Sequence, residues 1–201
     1  MITVKLLRIL FFLVIFTTYA PNYKSKYKSL IFPIKNIEIV NNKVVDSKIL
    51  VKELEFLKQK NILFIDNQMI KSILVKFEFI EGFKVKKIYP KTVKITVIEK
   101  KPVAIYIDGK KKFYISEKGS LIKYTELSEY TNLPLVFGKN INFSKIFDII
   151  TNTGFPMSEI KSFYYFESDR WDIVLNNEII IKLSIKNYSK ALKNFISKNK
   201  D

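Results

Sequence analysis

Carboxylates and lysines are the groups in this sequence that could do chemistry, because its 201 residues include no histidine and no cysteine. The chain therefore forms no disulfide and has no thiolate, and it lacks the commonest general base and metal ligand. A glycine-rich phosphate loop, a zinc-protease helix pattern and a nucleophile elbow are missing from the sequence as well.

Glu99 is the carboxylate with the most unusual setting, in the run Glu99-Lys100-Lys101-Pro102. A catalytic acid or base generally needs a pKa that burial or a neighbouring acid has shifted. Beside two lysines, Glu99 is expected to be an ordinary ionised surface acid. We therefore predict that the protein is not an enzyme and that it uses no cofactor and no metal.

The charge balance raises a second possibility, because 35 basic residues against 19 acidic ones give a net charge of +16 at pH 7. A nucleic-acid-binding protein would show a steep salt dependence of its binding to DNA. All the basic residues except Arg8 and Arg170 are lysines, however, and arginine is the better bidentate ligand of phosphate and guanine. The lysines are also spread along the chain, so a solvated, soluble surface is favoured and no nucleic-acid partner is predicted.

The first twenty residues form the most apolar stretch, with no polar residue from Ile9 to Phe16. A helix from Leu6 to Tyr19 would be about 21 Å long, against about 30 Å for the hydrocarbon core of a bilayer. The segment fits either a short retained anchor or a signal peptide cleaved after Ala20, although Pro21 argues against cleavage. Both alternatives take the chain to a membrane. The candidate anchor residues are Leu6, Ile9, Leu10, Phe11, Phe12, Leu13, Val14, Ile15 and Phe16.

Residues 32–101 follow the order strand, helix, helix, strand, strand, which is typical of a small α+β unit with two helices on one face of a sheet. Asp46 or Ser47 is placed to cap the first helix, and Asp66 is placed to cap the second. The apolar positions expected to face the core are Ile49, Leu50, Leu54 and Leu57 in the first helix, and Met69, Ile70, Ile73, Leu74 and Phe77 in the second. The last strand alternates Val93, Ile95 and Val97 with polar residues.

The pattern of residues 102–201 indicates a mostly antiparallel β domain with one or two helices. Asp108-Gly109 is a strong hairpin signal between two of its strands. Three closing strands are expected over residues 160–166, 171–175 and 179–183, and helices over residues 142–153 and 188–197.

The stretch from Phe79 to Ala104 resembles the end of the POTRA domain of the FtsQ/DivIB family of bacterial cell-division proteins. It contains an aromatic residue, a basic pair, an aromatic-proline pair, a threonine and alternating hydrophobic residues. It ends in Glu-Lys-Lys-Pro-Val-Ala where the family has Glu-Arg-x-Pro-Val-Ala. Further landmarks of the family are similar to Asn61–Asp66, Tyr114–Gly119, Leu133–Gly138 and Arg170–Leu183, in the same order along the chain.

The resemblance implies four segments. They are a short tail and membrane anchor over residues 1–21, a linker over 22–31, a POTRA domain over 32–101 and an FtsQ-type β domain over 102–201. Glu99, Lys100, Lys101 and Pro102 are expected to form a hinge, because Pro102 has no N–H for the sheet and keeps the residue before it extended. The family usually continues into another strand after the last helix, so the β domain is expected to lack its last strand.

The function implied by the resemblance is that of a non-enzymatic, single-pass inner-membrane scaffold of the divisome, which links early and late division proteins at the septum. Its N-terminus would lie in the cytoplasm and its two domains in the periplasm. The implied partners are FtsB-like and FtsL-like proteins, which would add a strand to the β domain, and other divisome proteins at the POTRA domain. The candidate docking residues are Trp171, Ile173, Ile179, Ile180, Ile181, Lys182 and Leu183. The alternative is that they are ordinary core residues and that a helix over residues 188–197 covers the edge. The alternative is a secreted POTRA-type chaperone of outer-membrane protein assembly, which would lose its N-terminus.

Overall fold

The structure is a computed structural model that describes residues 2–18, 32–139, 143–183 and 188–198. It begins with helix α1, Ile2–Thr18, whose side chains from Leu6 to Ile15 are exposed. The candidate anchor residues other than Phe16 lie in this exposed stretch. The side chain of Phe16 and the expected linker lie outside the described residues. Within the described ranges, no helix is long and apolar enough to span a membrane.

The first domain has the predicted order of strand, helix, helix, strand and strand. Its elements are β1 Asn36–Val40, α2 Ser47–Glu53, α3 Asn67–Leu74, β2 Ile80–Ile88 and β3 Thr92–Glu99. Strand β3 lies in the middle of the sheet, where it pairs with β1 in parallel and with β2 in an antiparallel hairpin.

Asp66 is confirmed as a helix cap, and of the two candidates for the first helix the structure has Asp46 as the cap. The Asp46 side chain accepts a hydrogen bond from the Lys48 N–H at 2.8 Å, and the Asp66 side chain accepts one from the Gln68 N–H at 3.1 Å. Each cap satisfies a main-chain donor that has no partner within the first turn of its helix. The residues Glu55–Gln59 and Ile62–Phe64 form 3₁₀ turns between the two helices.

The core of this domain lies between the two helices and the sheet. Its fully enclosed side chains include Leu50, Leu54, Leu57, Ile70, Leu74, Val93, Ile95 and Val97. The predicted burial of Ile49 and Met69 is wrong, because their side chains are 52% and 38% exposed. Both helices are short and meet the sheet along a narrow stripe, so the position one residue before a buried leucine or isoleucine already faces solvent.

Glu99 ends β3 and holds the loop that follows β1. Its carboxylate accepts hydrogen bonds from the main-chain N–H groups of Lys43, Val44 and Val45, at distances from 2.8 to 3.2 Å. Asn41 begins the same loop with a left-handed φ of 66°, and its side-chain amide donates to the Val97 carbonyl at 2.9 Å. The expectation that Glu99 is a simple surface acid is therefore wrong, because its carboxylate is a structural acceptor.

The second domain contains a seven-stranded sheet with two helices. Its elements are β4 Pro102–Asp108, β5 Lys111–Ser116, β6 Leu121–Lys123, β7 Leu135–Phe137, α4 Phe143–Thr153, β8 Ile160–Tyr165, β9 Trp171–Leu175, β10 Ile180–Lys182 and α5 Tyr188–Lys198. The strand order is β10-β9-β8-β7-β4-β5-β6. All pairings are antiparallel except those of β7, which runs parallel to β4 and to β8. The α+β class and the mostly antiparallel second domain are thus confirmed.

The segment proposed as a hinge is bonded on both sides. The Lys100 N–H donates to the Phe79 carbonyl at 2.7 Å, and the Lys101 carbonyl accepts from the Glu117 N–H at 3.2 Å. Pro102 pairs with Ser116 as the first residue of β4, a position where a missing N–H is tolerated. Pro102 therefore begins a strand of the second sheet.

The two domains also contact each other away from this segment. The Phe79 ring meets Tyr114 edge-on with ring centroids 6.1 Å apart, in an apolar cluster on the face of the second sheet opposite α4 and α5. The Lys123 N–H donates to the Glu78 carboxylate at 2.6 Å, and Lys118 forms an ion pair with Glu81. These contacts connect the start of β2 to strands β5 and β6.

Replacing Glu99 by alanine should lower the stability of the first domain by about 1–3 kcal/mol, because three main-chain donors lose their acceptor. Hydrogen exchange at the Val44 and Val45 amides should accelerate by the corresponding factor. Urea unfolding and site-resolved exchange would measure both effects.

The matched control is Glu53→Ala, which removes an exposed carboxylate from the end of α2 and should change stability by no more than about 0.5 kcal/mol. Unchanged exchange at Val44 and Val45 in the Glu99→Ala protein would show that the carboxylate does not hold this loop.

Candidate partner-docking edge

Strand β10 is the last strand at one end of the seven-stranded sheet and pairs only with β9 in the described part of the chain. Ile180, Ile181 and Lys182 lie opposite Val174, Ile173 and Asp172 of β9. The strand continues the antiparallel series β8-β9-β10 that the sequence predicts.

The main-chain groups of β10 alternate between its neighbour and the outside. The Leu175 N–H donates to the Ile179 carbonyl, and the Leu183 N–H donates to the Trp171 carbonyl, both at 2.9 Å. In an antiparallel ladder every second residue bonds to the same neighbour, so Ile179, Ile181 and Leu183 form one set that faces β9. The N–H and C=O groups of Ile180 and Lys182 then point away from the sheet. Among the described residues, no main-chain group pairs with them there.

The opposite end of the same sheet is partly occupied by the first domain. Strand β6 forms that edge, and the outward N–H of its residue Lys123 donates to the carboxylate of Glu78. A side chain from the neighbouring domain thus occupies one of the outward groups that an added strand would need. Of the two ends of the sheet, the β10 end is the more accessible to strand addition.

The seven candidate docking residues fall into two sets. Trp171, Ile173, Ile181 and Leu183 are buried and belong to the core beneath α4 and α5. Ile179 and Ile180 are 41% and 56% exposed, and Lys182 is also exposed. In this structure the buried set supports the strand, and the exposed set is available to a partner.

Aromatic side chains pack around Trp171 on the core side of β9. The Trp171 ring centroid lies 5.0 Å from that of Tyr165, 6.0 Å from that of Phe143 and 6.4 Å from that of Phe163. Edge-on and tilted pairs at these distances are favourable in addition to the area that they bury. The strand to which β10 is bonded is therefore held by side chains from β8 and from α4.

The outer face of the sheet presents a row of side chains across four strands. Phe137, Tyr164, Asp172 and Lys182 are successive cross-strand neighbours on β7, β8, β9 and β10. Phe137 and Tyr164 stack with centroids 4.9 Å apart. The Asp172 Oδ1 lies 3.0 Å from the Arg170 Nε, which is close enough for an ion pair although the N–H is not aligned for a hydrogen bond. The row ends at Lys182, an exposed cation on the edge strand β10.

The tight turn between β9 and β10 is fixed by polar contacts. The Asn176 side-chain amide donates to the Ser158 carbonyl at 2.8 Å. Glu178 adopts a left-handed φ of 66° and its carboxylate accepts from the Lys161 ammonium at 2.5 Å, a hydrogen bond that raises the pKa of Lys161. These contacts hold the register in which β10 returns along β9.

Asp169, in the turn between β8 and β9, connects that turn to helix α5. Its carboxylate accepts a hydrogen bond from the Tyr165 hydroxyl, which raises the pKa of Tyr165. The Tyr188 hydroxyl donates to the Asp169 carbonyl at 2.6 Å, and burial together with the nearby carboxylate raises the pKa of Tyr188. The roles of Asp169 and Glu178 are not visible in the sequence, because they depend on left-handed turn conformations that lack the usual glycine.

The geometry supports binding through main-chain groups. An open strand with outward N–H and C=O groups can pair with an extended segment of another chain. Within the described residues, no group of three or more acidic side chains is arranged to hold a metal ion.

Comparison with known families matches both domains. The model described as POTRA domain, FtsQ-type, matches residues 32–100, and the model described as Cell division protein FtsQ/DivIB, C-terminal, matches residues 104–201.

The curated relatives that match the chain include proteins named Cell division protein FtsQ. Cell division protein FtsQ of Rhizobium meliloti (strain 1021) is 22% identical over 163 residues, which cover 80% of this chain and 53% of the relative. Cell division protein FtsQ of Rickettsia bellii (strain RML369-C) is 28% identical over 171 residues, which cover 84% of this chain and 64% of the relative. The chain thus spans between about half and two thirds of the length of these relatives.

A solved structure of the major extracytoplasmic domain of the division protein DivIB from Geobacillus stearothermophilus is 15% identical to this chain. It gives a TM-score of 0.36 and covers 50% of this chain and 91% of that one. A likeness of this size supports no conclusion about function.

Two proline substitutions on neighbouring residues of β10 should destabilise the protein to very different extents. Ile180→Pro removes an outward N–H and should change stability by less than about 1 kcal/mol. Ile181→Pro removes a donor that faces β9 and disturbs a buried side chain, so it should cost at least about 2 kcal/mol. Thermal unfolding followed by the fluorescence of Trp171, the one tryptophan, would compare them. Equal losses of stability would mean that β10 is not paired on one side only.

Proposed function

Because the chain belongs to the FtsQ/DivIB family of bacterial cell-division proteins, we propose that it is a non-enzymatic scaffold of the division machinery, held in the inner membrane by its N-terminus. In this proposal residues 32–101 are the domain nearer the membrane, and residues 102–201 hold the partners. The protein would link early and late division proteins through these two domains, both of them in the periplasm.

The open edge of β10 is the observation that carries the proposal. An FtsB-like or FtsL-like protein would place an extended segment beside β10 and bond to the main-chain groups of Ile180 and Lys182. Such pairing gives affinity through the main chain and leaves selectivity to the side chains. Other divisome proteins would make weaker contacts with the first domain.

Side chains on β10 set what the partner strand should contain. Ile180 and Lys182 project on the outer face, two residues apart, so an incoming strand would place side chains beside them at the same spacing. An apolar residue beside Ile180 and an acidic residue beside Lys182 would be favourable cross-strand neighbours. Helix α5 packs against the core of the domain and against α4. The exposed side chains of Ile180 and Lys182 support an edge that a partner can reach.

The proposed anchor is the exposed apolar face of α1, with Leu6, Leu10, Leu13 and neighbouring residues in contact with lipid. Exposed side chains of this kind are unfavourable in water and favourable in hydrocarbon. Arg8 would reach the headgroups on the cytoplasmic side by extending its side chain.

Replacing Ile180 by proline should weaken partner binding without unfolding the protein. Proline at this position removes the outward N–H and adds a ring that obstructs an incoming strand. Most of the affinity for FtsB-like and FtsL-like proteins should therefore be lost while the fold is retained. Affinity capture from native membranes followed by mass spectrometry would measure the amount of each partner that is recovered.

The matched control is Leu121→Pro, which places proline at an outward position of the opposite edge, on β6. It should fold and recover partners as the unmodified protein does. If Ile180→Pro recovers partners normally, or if Leu121→Pro loses them equally, the partner does not pair with β10.

If residues 1–20 form a membrane anchor, they should remain part of the mature protein. Protein isolated from native membranes should have the intact mass of the full chain, because Pro21 directly follows an otherwise acceptable cleavage site and argues against cleavage there. A mass that lacks residues 1–20 would contradict the anchor and favour a secreted chaperone of outer-membrane assembly.

A further inference from the structure

One end of the first domain exposes an unusual number of large apolar side chains. Phe64 and Tyr89 are 79% and 57% exposed, and Phe32, Leu63 and Ile88 are 43%, 45% and 38% exposed. An exposed apolar group of this kind generally marks a surface that contacts something other than water. We refer to these five residues as the apolar end.

Main-chain contacts bring the segments of the apolar end together. The Ile62 N–H donates to the Phe32 carbonyl at 3.0 Å, which places Phe32 beside the turn that carries Leu63 and Phe64. The Lys87 ammonium donates to the Leu63 carbonyl at 2.9 Å, which brings in the end of β2 with Ile88 and Tyr89. These residues are far apart in sequence and form one continuous region of the fold.

Lysines surround the apolar end. Lys35, Lys60 and Lys91 are exposed, and the Lys91 carbonyl accepts from the Lys35 N–H at 2.8 Å while the Lys60 carbonyl accepts from the Ile34 N–H at 3.2 Å. Lys87 contributes a fourth cation. Asp66, the acid that follows the 61–64 turn, accepts a hydrogen bond as the cap of α3. The region therefore combines aromatic and aliphatic side chains with positive charge.

The apolar end is also where the chain enters the domain from α1. Residues 19–31 separate Thr18 from Phe32 and can span at most roughly 45 Å when fully extended. If α1 lies in a bilayer, as the proposed function has it, this linker keeps the apolar end within reach of the same bilayer.

We infer that the apolar end docks on the surface of an anionic membrane. Tyrosine and phenylalanine are favourable at the level of the lipid headgroups, and lysines near an anionic surface are attracted to its phosphates. Phe64 and Tyr89 enter the interface, while Lys35, Lys60 and Lys91 contact the headgroups. This inference rests on the anchor in the proposed function.

Docking at this end orients the rest of the protein. Strand β3 starts beside the apolar end at Thr92 and runs for eight residues to Glu99, after which the second domain begins at Pro102. Eight residues of strand span on the order of 26 Å. The first domain would then stand on the membrane as a spacer, with the second domain, including β10, held away from the lipid.

The test uses single cysteines in the full chain, which contains none of its own. Phe64→Cys labels the apolar end, and Val75→Cys is the matched control, since Val75 is 72% exposed and lies near Ile80 and Phe83 at the other end of the domain. Each protein would carry the fluorophore NBD and be reconstituted in vesicles of phosphatidylcholine and phosphatidylglycerol at 7:3. Doxyl-labelled lipid should quench the label at position 64 several-fold more than the label at position 75.

A charge variant separates docking from simple proximity. Replacing Lys35, Lys60 and Lys91 by glutamate in the Phe64→Cys protein should remove most of the excess quenching, as should vesicles of phosphatidylcholine alone. Equal quenching at positions 64 and 75 in chains that float with the vesicles would overturn the inference and leave the proposed anchor intact. Shielding of position 64 in native membranes but not in these vesicles would also overturn it, in favour of a protein partner. A chain that does not float with the vesicles would contradict the anchor as well.

Discussion

The main-chain polar groups at the ends of the second sheet constrain how this protein can pair with another chain. A strand at the end of a sheet has N–H and C=O groups that need water or another partner. At the β6 end, Glu78 of the first domain bonds to the outward N–H of Lys123. At the β10 end, the outward groups of Ile180 and Lys182 have no such partner among the described residues. The sheet is therefore asymmetric, with one end partly occupied by its own chain and the other suited to a second chain.

An open edge binds well only if it is already in the right conformation. Trp171 packs against Tyr165, Phe143 and Phe163 beneath β9, and the Lys161–Glu178 contact holds the turn into β10. Ordering a strand after the partner arrives would cost conformational entropy, and a strand that is ordered beforehand avoids much of that cost. The buried members of the candidate docking set thus contribute by holding the main chain in place. The first domain would complement this by holding the second domain at a fixed distance from the membrane.

Local signals in the sequence were enough to predict much of the fold. Asp46 and Asp66 before apolar helical patterns and the Asp108-Gly109 hairpin depend on neighbouring residues alone, and the structure has all three. The role of Glu99 could not be predicted, since it depends on a loop more than fifty residues earlier in the chain. Strand β6 is too short at three residues to show a pattern. At the candidate edge, alternation identified the strand, but which main-chain groups face outward follows only from its register with β9.

Hydrogen exchange at the β10 amides tests the central claim most directly. The full protein would be compared in its own membranes with and without its FtsB-like and FtsL-like partners. We expect the Ile180 and Lys182 amides to become protected when the partners are present, while the outward Leu121 amide on β6 exchanges at the same rate as without them. Partner binding that leaves the Ile180 and Lys182 amides unprotected would contradict that claim.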